Sequence, residues 1–139
     1  MRFVALGLAL LAVGCTSATG PDEKREVGVI LGLANEAPAI EVPSPVRVGQ
    51  DFTVTIRTGW RNGCARADGT EVEVRGATAT ITPYERITES TNCTQASQEF
   101  IHRATLRFDQ PALVELTIRG RRSFTASVIT VRRTVEVRP

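Results

Sequence analysis

The chain has one histidine, one tryptophan, one tyrosine and three cysteines among 139 residues. Each scarcity removes a class of function. A single histidine, His102, cannot form a histidine cluster, and no Cys-x-x-Cys pair offers a zinc or redox centre. No Gly-rich phosphate loop occurs, and the acidic residues lack the dense spacing of a calcium loop. Neither metal nor cofactor is therefore expected. Aromatic residues make up 5% of the chain, too few for the stacking platforms of nucleic-acid readers. Helical signals are also missing: β-branched residues are frequent, and no window shows a capped i, i+3, i+4, i+7 stripe. The longest apolar run, Phe3 to Val13, falls short of the roughly 20 residues that span a bilayer.

That run is informative for what it is. Arg2 precedes it and Gly14-Cys15 closes it, the layout of a removable signal peptide. Ala12-Val13-Gly14-Cys15 resembles the lipobox of bacterial lipoproteins, with Ala12 where leucine is commoner. The resemblance implies cleavage before Cys15, a diacylglycerol on its thiol and usually an acyl group on the new amino terminus. Two or more chains give stable anchoring. Thr16 after the cysteine implies the outer membrane, facing the periplasm or the surface. Ordinary cleavage near Ala18 is the plain alternative. Residues 1–14 are thus read as signal peptide and 15–25, polar and containing Gly20-Pro21, as lipidated cysteine and flexible tether.

Residues 26–139 suffice for one domain. Formal charge is +2, and Lys24 is the sole lysine. Over the last twenty-odd residues, Arg119, Arg121, Arg122, Arg132, Arg133 and Arg138 face Glu136 alone. Such a patch suits anionic headgroups or an acidic polymer. Arginines that protect the edges of a sheet are the simpler reading.

With Cys15 taken by lipid, Cys64 and Cys93 remain, and two cysteines in an oxidising compartment pair. Period-two alternation dominates after residue 50. Phe52, Val54 and Ile56 alternate with polar residues, as do Val72 and Val74. Ala77, Ala79 and Ile81 share one face, as do Phe100, His102, Ala104, Leu106 and Phe108. Val114, Leu116 and Ile118 repeat the device. Segments 124–131 and 134–137 are further strands, with 27–33 and 40–42 upstream; 91–99 reads as a loop with at most one helical turn. Pro43-Ser44-Pro45, Gly59 to Gly63, Asp68-Gly69 and Asp109-Gln110-Pro111 punctuate the series. The expected fold is all-β, an antiparallel β-sandwich with one disulfide stapling loops at one end; a barrel satisfies the same pattern. From Ala37 to Val137 the order of Pro, Val48-Gly49-Gln50 and Phe52-Thr53-Val54-Thr55-Ile56 resembles bacterial immunoglobulin-like domains.

Chemistry is sparse. His102 shares a face with core residues, so a neutral histidine with one hydrogen-bond partner is expected rather than a general base. No serine sits in a Gly-x-Ser-x-Gly turn. Trp60, read as a loop residue before Cys64, packs on the disulfide or serves as a stacking platform. Arg61, Arg66 and Tyr84, which follows Pro83 at the end of a strand, complete the candidate ligand contacts, since loops on a rigid scaffold carry binding residues. The expected function is a non-enzymatic binding or structural module, anchored by lipid, that contacts an envelope protein or a glycan. The alternatives are an exported enzyme using His102 with a nearby carboxylate, and a small exported inhibitor.

Overall fold

The computed structural model describes residues 22–32 and 39–139. The signal segment, Cys15 and most of the expected tether lie outside them. Among the described residues, ten strands and no helix make up the regular structure: β1 Glu23–Val27, β2 Val29–Ile30, β3 Ile40–Glu41, β4 Val46–Arg47, β5 Phe52–Trp60, β6 Ala65–Arg75, β7 Thr78–Thr88, β8 Gln98–Leu106, β9 Ala112–Arg121 and β10 Val128–Arg138. They form one curled sheet whose two flanks pack face to face around a common interior. One flank carries β6, β7, β9 and β10; the other carries β8, β5 and β3. The expected all-β sandwich with one disulfide is what the chain adopts.

Alternation decides which residues enter the interior. Val54 and Ile56 on β5, Ile81 on β7, Val114, Leu116 and Ile118 on β9 and Val135 on β10 are completely buried. Each of these seven residues faces the opposite flank, and full burial of such side chains is worth about 1.5–3 kcal/mol apiece. Phe52 and Phe108 stack with ring centroids 6.1 Å apart and close one end of this apolar region.

Several boundaries differ from those read in the sequence, for physical reasons. Strand β1 starts at Glu23, inside the segment expected to be tether, because Glu23 to Val27 pair in antiparallel register with Thr88 to Tyr84. Pro83 does not end β7. It sits where the strand changes neighbours, since pairing with β9 stops at Ile81 and pairing with β1 starts at Tyr84. The missing N–H of proline costs least at such a junction. Asp68-Gly69 is a bulge within β6 rather than a break between strands. The two final segments join in one strand, β10, which starts only at Val128, and no helical turn forms in 91–99.

The arrangement is also not wholly antiparallel. Strands β7 and β9 run parallel, as do β4 and β10. Strand β8 crosses to the other flank between β7 and β9, which leaves them pointing the same way.

Candidate functional site

The turn after β5 and the loop after β7 meet at one end of the sandwich. There Cys64 and Cys93 are bonded, with Cα atoms 5.2 Å apart. Backbone hydrogen bonds fasten both sides of the bridge: the Gly63 amide donates to the Thr94 carbonyl at 2.9 Å, and the Thr88 amide to the Cys64 carbonyl at 2.8 Å. Beside the bridge opens a cleft of about 330 Å³. Trp60, Arg61 and Asn62 form one wall, while Ile87 to Ser90 form another. Lys24 and Glu26 of β1 and Phe124 from the β9–β10 loop complete it.

Of the four candidate contacts, the structure brings two into this cleft. Trp60 is the last residue of β5 and not a loop residue. It is 8% exposed, and Phe124 meets it edge-on with centroids 5.2 Å apart. Its ring is therefore largely covered, and only part of it faces the opening. Arg61 is exposed beside it.

Arg66 and Tyr84 lie elsewhere, on the outer face of β1, β6 and β7. Arg66 pairs with Glu23 at 2.9 Å. The Arg25 guanidinium covers the Tyr84 ring at 3.7 Å and reaches Asp68 and Glu71 at 2.8 and 2.7 Å. Arg86 also holds Asp68, at 3.0 Å, and these cations keep the carboxyls of Asp68 and Glu71 below their ordinary range. Tyr84 is committed to a cation, so it is not available as a platform in the cleft.

The carboxy-terminal arginines do not form one patch. Arg121 is withdrawn to 8% exposure, where it donates to the Val27 carbonyl at 2.7 Å and pairs with Glu26 at 2.6 Å. Arg138 pairs with Glu136 at 2.7 Å, and Arg132 lies 4.0 Å from Glu115. For Arg121 and Arg132, folding supplies acidic partners that the linear sequence separates.

Below the cleft lies a polar interior that sequence reasoning did not find. Glu85 on β7 and Thr58 on β5 are completely buried, and His102 on β8 is 3% exposed. His102 Nε2 lies 3.0 Å from the Thr58 hydroxyl, and Nδ1 lies 3.2 Å from the Gly69 carbonyl in the β6 bulge. The bulge thus lets β6 meet β8 through a side chain, closing the curl of the sheet. A neutral ring that donates from Nδ1 and accepts at Nε2 satisfies this geometry. Burial holds the ring below its ordinary pKa, against the pull of the Gly69 carbonyl. The neutral form was expected; a ring bonded at both nitrogens was not.

Glu85 is less well served. Neither carboxylate oxygen has a partner in hydrogen-bonding geometry. Glu26 stands directly opposite on β1. Burial raises the Glu85 pKa from 4.5 to about 7; the nearby Thr58 hydroxyl, Arg121 and the Val29 amide oppose this, and Glu26 adds to it. Without a paired cation, a carboxylate at this depth protonates rather than carrying its charge. Gly28 makes the close approach possible: a Cβ there would lie 2.7 Å from Thr58 Cγ2 and 3.2 Å from Glu85 Oε1.

Alternation alone could have found both residues. Thr58 extends the series Phe52, Val54, Ile56, and Glu85 extends Ala79 and Ile81 past Pro83. Among the described residues, no group of three histidine, cysteine, aspartate or glutamate side chains converges as for a metal. Among the described residues, no helix is long and apolar enough to cross a membrane. No protein-family model, curated protein or solved structure matches the chain.

Proposed function

We propose that the protein is an envelope-anchored, non-enzymatic binding module that contacts an envelope protein or a glycan through the cleft beside the Cys64–Cys93 bridge. The observation that carries this reading is the convergence of Trp60, Arg61 and Asn62 on a stapled, concave surface. A disulfide and two backbone hydrogen bonds fix the walls in advance, which lowers the ordering cost of binding. Anchoring at Cys15 and kinship with immunoglobulin-like domains belong to the same proposal. From Cys15 to Glu23 the chain reaches about 28 Å at full extension. Asp22 accepts a hydrogen bond from the Glu89 amide at the cleft wall, so the chain enters the domain beside the cleft. A lipid at Cys15 would hold the cleft close to the bilayer, within reach of partners at that surface.

A second reading has one observation in its favour. His102 now has a hydroxyl, Thr58, as its neighbour, and a carboxyl, Glu85, beyond it. An enzyme needs these groups to meet substrate. All three are buried, and none lines the cleft. We take the cluster as structural.

The test is crosslinking of the tagged, full-length protein in cells, followed by affinity capture and mass spectrometry. The expected outcome is a reproducible partner that is lost from the Arg61→Ala, Asn62→Ala double variant and retained by His102→Asn. Capture indifferent to the cleft substitutions would overturn the assignment of the cleft.

A further inference from the structure

The geometry points to a ligand class for the cleft: we propose that it receives the C-terminal carboxylate of a peptide ending in an apolar residue, with Arg61 holding the carboxylate. The proposal rests on the cleft being the binding site.

Commitments within the cleft select for an acceptor. Lys24 and Arg121 both hold Glu26, at 2.7 and 2.6 Å, so each of these two cations already has a carboxylate partner. Arg61 has no carboxylate within ion-pair distance among the described residues. The carbonyl oxygen of the Asn62 side chain accepts from the Cys64 amide at 3.1 Å, which leaves its NH₂ free to donate. Ser90 Oγ accepts from the Asn92 amide at 3.1 Å, which leaves its O–H free. Arg61, Asn62 and Ser90 thus offer free donors on these two walls, one of them a guanidinium, against the single carboxylate of Glu89. A guanidinium recognises a carboxylate through paired N–H groups, whereas a polyanion would need further free cations.

The rest of the lining suits a short apolar side chain. Ile87 and Phe124 face the opening beside the uncovered part of Trp60. A volume of about 330 Å³ is at the small end for ligand sites and holds the last one or two residues of a chain rather than a folded surface.

Charge beneath the cleft bears on the same ligand. Glu85 faces Glu26 from β1, Arg121 from β9 and, through Thr58 of β5, His102 of β8. With Glu85 neutral, Lys24, Arg61 and Arg121 outnumber Glu26 and Glu89 by one. Ionising Glu85 removes that excess. An anion should therefore bind more tightly at pH 6 than at pH 8.

The test uses the full-length protein in detergent micelles, with Trp60, the only tryptophan, as a fluorescent reporter. The probes are acetyl-Gly-Gly-Gly-Leu with a free carboxylate and the same peptide as its amide, at millimolar concentrations. The acid should bind at least about tenfold more tightly than the amide, a difference typical of one charge-assisted pair. Arg61→Gln should abolish that preference and leave the fold unchanged by circular dichroism. Affinity for the acid should fall several-fold from pH 6 to pH 8 in the wild type and stay level in Glu85→Gln. Equal binding of acid and amide, or no response to either, would overturn the carboxylate assignment. Equal acid affinity at both pH values in the wild type would overturn the charge accounting behind it. If cellular capture still depends on Arg61 and Asn62 while acid and amide behave alike, the binding module stands and this ligand class falls.

Discussion

Strands β5 and β8 run side by side through the whole interior, yet its two ends are chemically unlike. At one end Phe52 pairs with Leu106 and Val54 with Ala104, beneath the stacked rings of Phe52 and Phe108. At the other, Ile56 pairs with His102 and Thr58 with Phe100, and Glu85 approaches from β7. The first end gains stability from nearly every group it buries. The second buries polar groups that are only partly satisfied, and a disulfide and the cleft lie directly above it. A small sandwich can carry such a weak end because the other holds the two flanks together.

The comparison breaks first if the apolar end is not dominant. Leu116 is completely buried among Val114, Ile118 and Val135. Leu116→Ala should destabilise the protein by about 4 kcal/mol in urea denaturation, since the site is enclosed and cannot collapse. A loss below about 1 kcal/mol would mean that this end is loosely packed, and the contrast would fail.

Removing the bridge probes the opposite end. The cysteines are 29 residues apart, and reopening that loop in a Cys64→Ser, Cys93→Ser protein should cost about 3–4 kcal/mol by the chain-entropy model. The distribution matters more than the total. Amide exchange should accelerate most at Trp60 to Cys64 and Thr88 to Thr94, and least in β9 and β10. Uniform acceleration would make the interior a single cooperative unit.

Much of this contrast was legible in the sequence, but unevenly. The apolar end was, because alternation in β5, β8 and β9 is unbroken there. Cys64 and Cys93 were as well, once a single pair remained to be formed. The polar end was not. Gly59 read as the start of a turn, which placed Trp60 in a loop; in the fold Gly59 lies against the Leu31 side chain, and β5 continues through it. Pro83 read as a terminus and hid Glu85. Arg66 looked close to the candidate site along the chain and Tyr84 stood at the end of a strand, but cross-strand pairing with β1 commits them to Glu23 and Arg25. Local punctuation misled wherever a strand changes neighbours, because such changes are set by distant segments.

The smallest expected effect is the most diagnostic. Glu85 has a pKa of about 7 in the folded protein against 4.5 as an ordinary carboxyl. Its folded form binds the proton more tightly, so its contribution is fully present below pH 4.5 and is lost as the pH rises through 7. The loss amounts to about 3 kcal/mol on the alkaline side. Glu85→Gln should therefore be more stable than the wild type at pH 8 by up to that amount, with the gain vanishing near pH 4.5. His102 tilts the other way. Its folded pKa is below 6.5, so its contribution is present above pH 6.5 and is lost as the pH falls through the folded value. Between pH 4.5 and 6.5 the two slopes oppose each other, and the wild type should show a flatter profile than either single variant. Urea midpoints of wild type, Glu85→Gln and His102→Asn across pH 4.5–8 check this directly. A Glu85→Gln profile parallel to the wild type would mean that the carboxyl is ionised and paired in solution, and the polar end would then be no weaker than the apolar one.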